Sequence, residues 1–149
     1  MNRRELLAAI GAAALTANAA KTHAHGFNPD FIESLRTDAN PYGLLVTAAG
    51  HCIGKGEICL AFCLSLMGKG NTELASCAQS VNQMLALTRA IQDMAGQQAP
   101  LIDQAAAVCL EACESCRKAC EPYAGRYAKF RACAQACAEC AFECRALVA

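Results

Sequence analysis

The sequence predicts an all-α protein, an antiparallel up-down-up-down four-helix bundle preceded by a short additional N-terminal helix. Three observations lead there. Cysteines recur near the end of the chain as Cys109, Cys113, Cys116 and Cys120, then as Cys133, Cys137, Cys140 and Cys144, both sets reading C-x3-C-x2-C-x3-C. At 100° per residue either set falls within about 60° of arc, a single stripe along a helix. Four stretches of helical periodicity are separated by short Gly- or Pro-bearing breaks, the connections that join antiparallel neighbours. Facing residues of an antiparallel hairpin also keep a nearly constant sum of residue numbers. The pairs Cys116/Cys133, Cys113/Cys137 and Cys109/Cys140 give 249, 250 and 249, so three layers of thiols are expected to meet across the last hairpin.

Residues 1–24 read as a targeting segment. Arg3-Arg4 precedes Glu5, Leu6 and Leu7 and a weakly apolar Ala/Gly/Leu run through Ala20, with small-residue cleavage sites at Ala17-Asn18-Ala19 and Thr22-His23-Ala24. This is the pattern of a cleaved twin-arginine export signal, and it places the mature protein in the periplasm or another extracytoplasmic compartment. The apolar run is too short to span a bilayer, and no membrane span is expected. His23 and His25 lie in or beside the cleaved segment.

Residues 25–40 are expected to form a short helix and a linker. Asn28-Pro29 supplies an N-cap followed by a proline at the first helical position. Phe31 and Leu35, one turn apart, give that helix a single apolar edge up to about Asp38.

The bundle occupies 41–149. Asn40-Pro41 repeats the start signal, and the first bundle helix should run to Gly68-Lys69-Gly70. Its stripe carries Cys52, Cys59 and Cys63, with Leu45 and Gly56 on the same face and Met67 about 60° away near its end. Asn71 or Thr72 caps the second helix, which ends near Met94 before the break from Gly96 to Pro100. Taking Cys77 as reference, its inward face continues through Val81, Met84, Thr88 and Ile91. Pairing Cys63 with Cys77 places Met84 opposite Gly56. Pro100 opens the third helix, which should stop at Glu121-Pro122, and Tyr123 to Arg126 make the turn into the fourth.

Composition narrows the function. With 149 residues, one domain is expected; thirteen basic and thirteen acidic residues leave no net charge and no basic run, which argues against a nucleic-acid partner. Three Tyr, five Phe and no Trp leave an interior of small residues. One or two buried cysteines act as small hydrophobes; twelve on inward faces indicate ligation or disulfide chemistry. Thiols one turn apart on a helix have Cβ atoms roughly 5–6 Å apart, too far for an unstrained disulfide, although cross-helix pairs keep a disulfide-stapled exported protein open as an alternative. A disulfide oxidoreductase would place its C-x2-C at a helix N-terminus after a strand, whereas Cys113/Cys116 and Cys137/Cys140 are mid-helix. No enzyme activity is expected.

Soft sulfur donors select Cu(I), zinc or iron–sulfur clusters. Structural zinc and iron–sulfur sites draw on loops and knuckles, and a zinc-binding bundle stays as a second alternative. Cu(I) accepts two or three sulfurs, so an i, i+4 pair holds one ion without breaking its helix. Charge favours the same ion: unpaired buried thiolates cost several kcal/mol each, and one monovalent ion per thiolate restores neutrality. A stoichiometry near one Cu(I) per cysteine follows.

The twin arginine, the four Cys-lined helices and the repeated C-x3-C spacing resemble the bacterial copper storage proteins, specifically their exported branch, over roughly Pro41 to Val148. The resemblance implies a homotetramer of four-helix bundles holding many Cu(I) ions through cysteines, with a few Met or His ligands at one open end and a copper-accepting enzyme as the recipient. On it, the twelve cysteines take the role of core ligands and Met67 that of a ligand near the opening. Met84 is on-face and reads as core filler or ligand; Met94 is off-face; His51, about 100° from the Cys52 stripe, reads as a surface or interface histidine.

Overall fold

The structure, a computed structural model, describes residues 40–148. The export signal expected over 1–24 and the short helix expected over 29–38 lie outside the described residues. Within them are four helices and no strand: α1 (Gly43–Met67), a 3-10 turn (Thr72–Leu74), α2 (Ala75–Gly96), α3 (Ile102–Ala124) and α4 (Ala128–Val148). Each packs antiparallel to the next, and α4 closes the ring against α1. By length and composition α1 could cross a membrane. Its stripe of Leu45, Ala49, Cys52, Gly56, Cys59 and Cys63 is nevertheless buried in the bundle, as in the core helix of a globular protein.

The expected starts and stops shift for local reasons. Asn40 Oδ1 accepts the Tyr42 N–H at 2.9 Å and its Nδ2 donates to the Ala95 carbonyl at 3.0 Å, so it ties the start of α1 to the end of α2, and the N-cap falls two residues later, at Tyr42. Asn71 does not cap α2 with its side chain. Its Nδ2 and backbone N–H both reach back to the Leu66 carbonyl, satisfying an acceptor orphaned at the end of α1, and the 3-10 turn leads into α2. Pro122 does not end α3, which continues to Ala124 with the proline inside its last turn. There the missing N–H deprives only the Lys118 carbonyl, and Lys118 is exposed.

The two ends of the bundle differ. At the end formed by the close of α1 and α3 and the start of α4, Phe130 is wholly buried. It lies 5.1–5.9 Å, centroid to centroid, from Tyr123, Tyr127 and Phe62, in the range of favourable aromatic pairing. The opposite end is walled by Ala49, Ala95 and Ala106 with Leu45, Ile91 and Ile102. On the surface, Arg89–Glu57, Arg145–Glu114 and His51–Glu139 bridge α2 to α1, α4 to α3 and α1 to α4. Exposed pairs of this kind add at most about 1 kcal/mol each, so the buried stripes determine the packing.

Candidate metal centre

All twelve cysteines are free thiols, buried to 1% exposure or less. α1 contributes three, α2 one, and α3 and α4 four each; spacings of three, four and seven residues keep the sulfurs of each helix on its inward stripe. Four groups of three sulfurs each fall within 4.8 Å: Cys59/Cys120/Cys133 and Cys116/Cys133/Cys137 towards the aromatic end, Cys52/Cys113/Cys140 and Cys109/Cys140/Cys144 towards the other. Cys133 belongs to both upper groups and Cys140 to both lower ones. Cys77 extends the upper set through Cys120 at 3.8 Å, and Cys63 joins it through Cys59 and Cys77. A 3.8 Å contact between Cys52 and Cys137 links the two halves.

The layers expected across the last hairpin are present. Cys116 and Cys133 lie 3.9 Å apart, Cys109 and Cys140 share a group, and Cys113 interacts with Cys137. In the first hairpin Met84 does face Gly56: a Cβ built there would lie 2.7 Å from Met84 Cε.

Proton affinities in such a core are set by neighbouring thiols. Contact with Cys59 first, then burial, pushes Cys63 up to about 12. The Cys120 contact pulls Cys77 down, but Cys63 and burial outweigh it, and Cys77 also rises to about 12. Cys109, Cys120, Cys137 and Cys140 are raised, with Cys113, Cys116, Cys113 and Cys109, respectively, as the largest raising neighbours. Cys113 and Cys133 are lowered because each accepts from four surrounding thiols, Cys109 and Cys116 foremost. Cys144 falls to about 5 through Cys109 and Cys140. The raised thiols thus donate to the lowered ones beside them, and a metal ion entering the core displaces the protons they hold.

The other expected residues divide. Met84 is wholly buried, its Sδ 3.4 Å from Cys52 Sγ. Met67 and Met94 are half-buried and packed against the core from opposite ends. His51 is on the surface, 48% exposed, with Nδ1 2.9 Å from Glu139 Oε2. Sequence reasoning put Thr88 on the inward face without assigning it a role. It is a buried polar side chain whose hydroxyl donates to the Met84 carbonyl at 2.8 Å and lies 3.9 and 4.0 Å from the Cys109 and Cys113 sulfurs. The aromatic plug was also missed. Its rings come from three helices and a turn, and Phe62, adjacent to Cys63, is about 100° off the cysteine stripe.

A core of clustered, buried thiols is a store of soft donors suited to copper, and it describes a binding protein. No match was found among curated proteins. Residues 38–149 match the family described as copper storage protein, and the chain belongs to that family.

Proposed function

We propose that the chain stores Cu(I) in the bundle core at roughly one ion per cysteine, for later supply to copper enzymes or for detoxification. The observation that supports this most directly is the set of four overlapping triads of buried thiols inside uninterrupted helices. Two- and three-coordinate Cu(I) fits such triads, with Cys133 and Cys140 bridging, whereas structural zinc takes four ligands from a tetrahedral site. Neutrality agrees, because each monovalent ion replaces one thiol proton. Anaerobic titration of the reduced protein with Cu(I), read against loss of free thiols, should plateau near twelve ions per chain; a plateau at one or two would overturn storage. Six disulfides in protein purified without oxidant would instead favour the stapled alternative.

Arg3-Arg4 and the run that follows support storage outside the cytoplasm. Twin-arginine export carries folded proteins, so the thiol core is complete before it meets an oxidising compartment. Replacing Arg3 and Arg4 with Lys should leave a soluble, copper-competent precursor inside the cell and none outside; fractionation with metal analysis checks this, and undiminished export would remove the signal from the reading. The resemblance adds a tetramer, which sedimentation equilibrium of the mature chain tests. Ions pass in and out at the end walled by Ala49, Ala95 and Ala106. Met67, expected beside the opening, lies at the aromatic end, opposite the alanine-walled one.

A further inference from the structure

α2 supplies only one cysteine, Cys77 at the aromatic end, and its remaining inward face is Val81, Met84, Thr88 and Ile91. Along that wall, beside the lower thiol groups, Met84 is the one soft donor, and three features aim it at them. Its Sδ lies 3.4 Å from the sulfur of Cys52, a member of the Cys52/Cys113/Cys140 group. Gly56 leaves the gap the side chain lies in, since a Cβ there would come within 2.7 Å of Met84 Cε and 2.8 Å of Leu85 Cδ2. Thr88 Oγ1, bonded to the Met84 carbonyl, sits 3.3 Å from Sδ on the same helix and borders its position. A thioether that only fills space has no need to face a thiol. This one is the nearer of two acceptors for the Cys52 S–H, at 3.4 Å against 3.8 Å for Cys137 Sγ, and when Cu(I) takes the place of that proton the same sulfur lone pair faces the ion.

We propose that Met84 Sδ is a Cu(I) ligand in the middle of the bundle, forming with Cys52 and one of Cys113 and Cys140 a mixed thioether–thiolate site. The inference rests on the Cu(I)-storage reading and adds a thirteenth sulfur to it. Because a thioether is neutral, the ion held there is coordinated by two thiolates and one uncharged donor, unlike ions held by cysteines alone.

Selenium in place of the Met84 sulfur gives the test. The full chain carrying Met67→Leu and Met94→Leu is grown on selenomethionine, loaded anaerobically with Cu(I), and examined by X-ray absorption at the selenium edge. The expected result is a selenium–copper shell that is lost when Met84→Leu is added, while the copper-edge spectrum of both proteins keeps its copper–sulfur shell. Full copper uptake with only carbon around selenium overturns the inference and leaves storage standing. Failure of the labelled protein to take up Cu(I) at all overturns both.

Discussion

At the scale of single residues, the thiols of Cys63 and Cys77 make the metal-free bundle sensitive to alkali. Their pKa values rise from 9.0 to about 12 on folding, Cys63 chiefly through Cys59, Cys77 through Cys63 and burial against the opposing pull of Cys120. A group held more strongly protonated in the folded state than in the unfolded chain stabilises the fold fully below its unfolded pKa, and this contribution is lost as pH rises through the folded value. The window is therefore about pH 9 to 12. Cys113, Cys133 and Cys144, shifted downward, exert their dependence below pH 9. The urea midpoint of reduced, copper-free protein should fall as pH rises from about 9 to 10, and Cys63→Ser with Cys77→Ser should lessen that fall without abolishing it, because Cys109, Cys120, Cys137 and Cys140 are raised as well. An unchanged midpoint in the parent protein would contradict the assignment. Copper loading should remove the dependence, because the protons are already gone.

Between elements, the α1–α2 contact depends on a missing side chain. Ala in place of a mid-helix Gly gains about 1 kcal/mol in propensity, but a methyl at position 56 meets Met84 and Leu85 at under 3 Å, and overpacking costs about 1–3 kcal/mol. Gly56→Ala should therefore destabilise by up to about 2 kcal/mol. Gly54→Ala, with nothing within 4 Å of its added carbon, should stabilise by up to about 1 kcal/mol. Denaturant unfolding of the two variants distinguishes them, and equal stabilisation would show that the gap at Gly56 is not needed. That Met84 faces Gly56 was legible in the sequence, as were the thiol layers of the last hairpin, because both follow from helical period and antiparallel direction alone. Pro122 does not act as a stop because both its missing N–H and its ring bear on one preceding carbonyl, that of Lys118, an exposed residue, and the helix ends two residues later. Asn71 was misread as a forward cap because Asn has donors as well as an acceptor, and the end of α1 takes them.

Among the described residues the bundle is polarised along its axis. Around the aromatic end stand Lys69, Arg117, Lys118, Arg126, Lys129 and Arg131, against Glu73 and Glu121. Arg126 and Lys129 lie over the Tyr127 and Phe62 rings, 5.1 and 4.3 Å from their centroids. Asp93, Asp103, Glu111, Glu139 and Glu143 lie towards the opposite end, where Arg89 and Arg145 are paired with Glu57 and Glu114, and His51 with Glu139. The charges of the described residues should therefore draw a monovalent cation towards the alanine-walled end and away from the aromatic one, an asymmetry that the zero net charge of the chain does not reveal. Surface fields of this kind change association rates and are screened by salt over about 8–10 Å at physiological ionic strength. Loading from acetonitrile-solvated Cu(I), itself a cation, should slow several-fold in Asp93→Asn with Asp103→Asn at low ionic strength, with the difference shrinking as salt is added. Lys129→Gln should leave the rate near that of the parent protein, and final copper content should be equal in all three, since none of these side chains lies among the thiols. Stopped-flow absorbance in the thiolate-to-copper charge-transfer band follows the reaction. Acceleration by Lys129→Gln, with no effect of the two aspartate substitutions, would place the route at the aromatic end and bring Met67 back beside it.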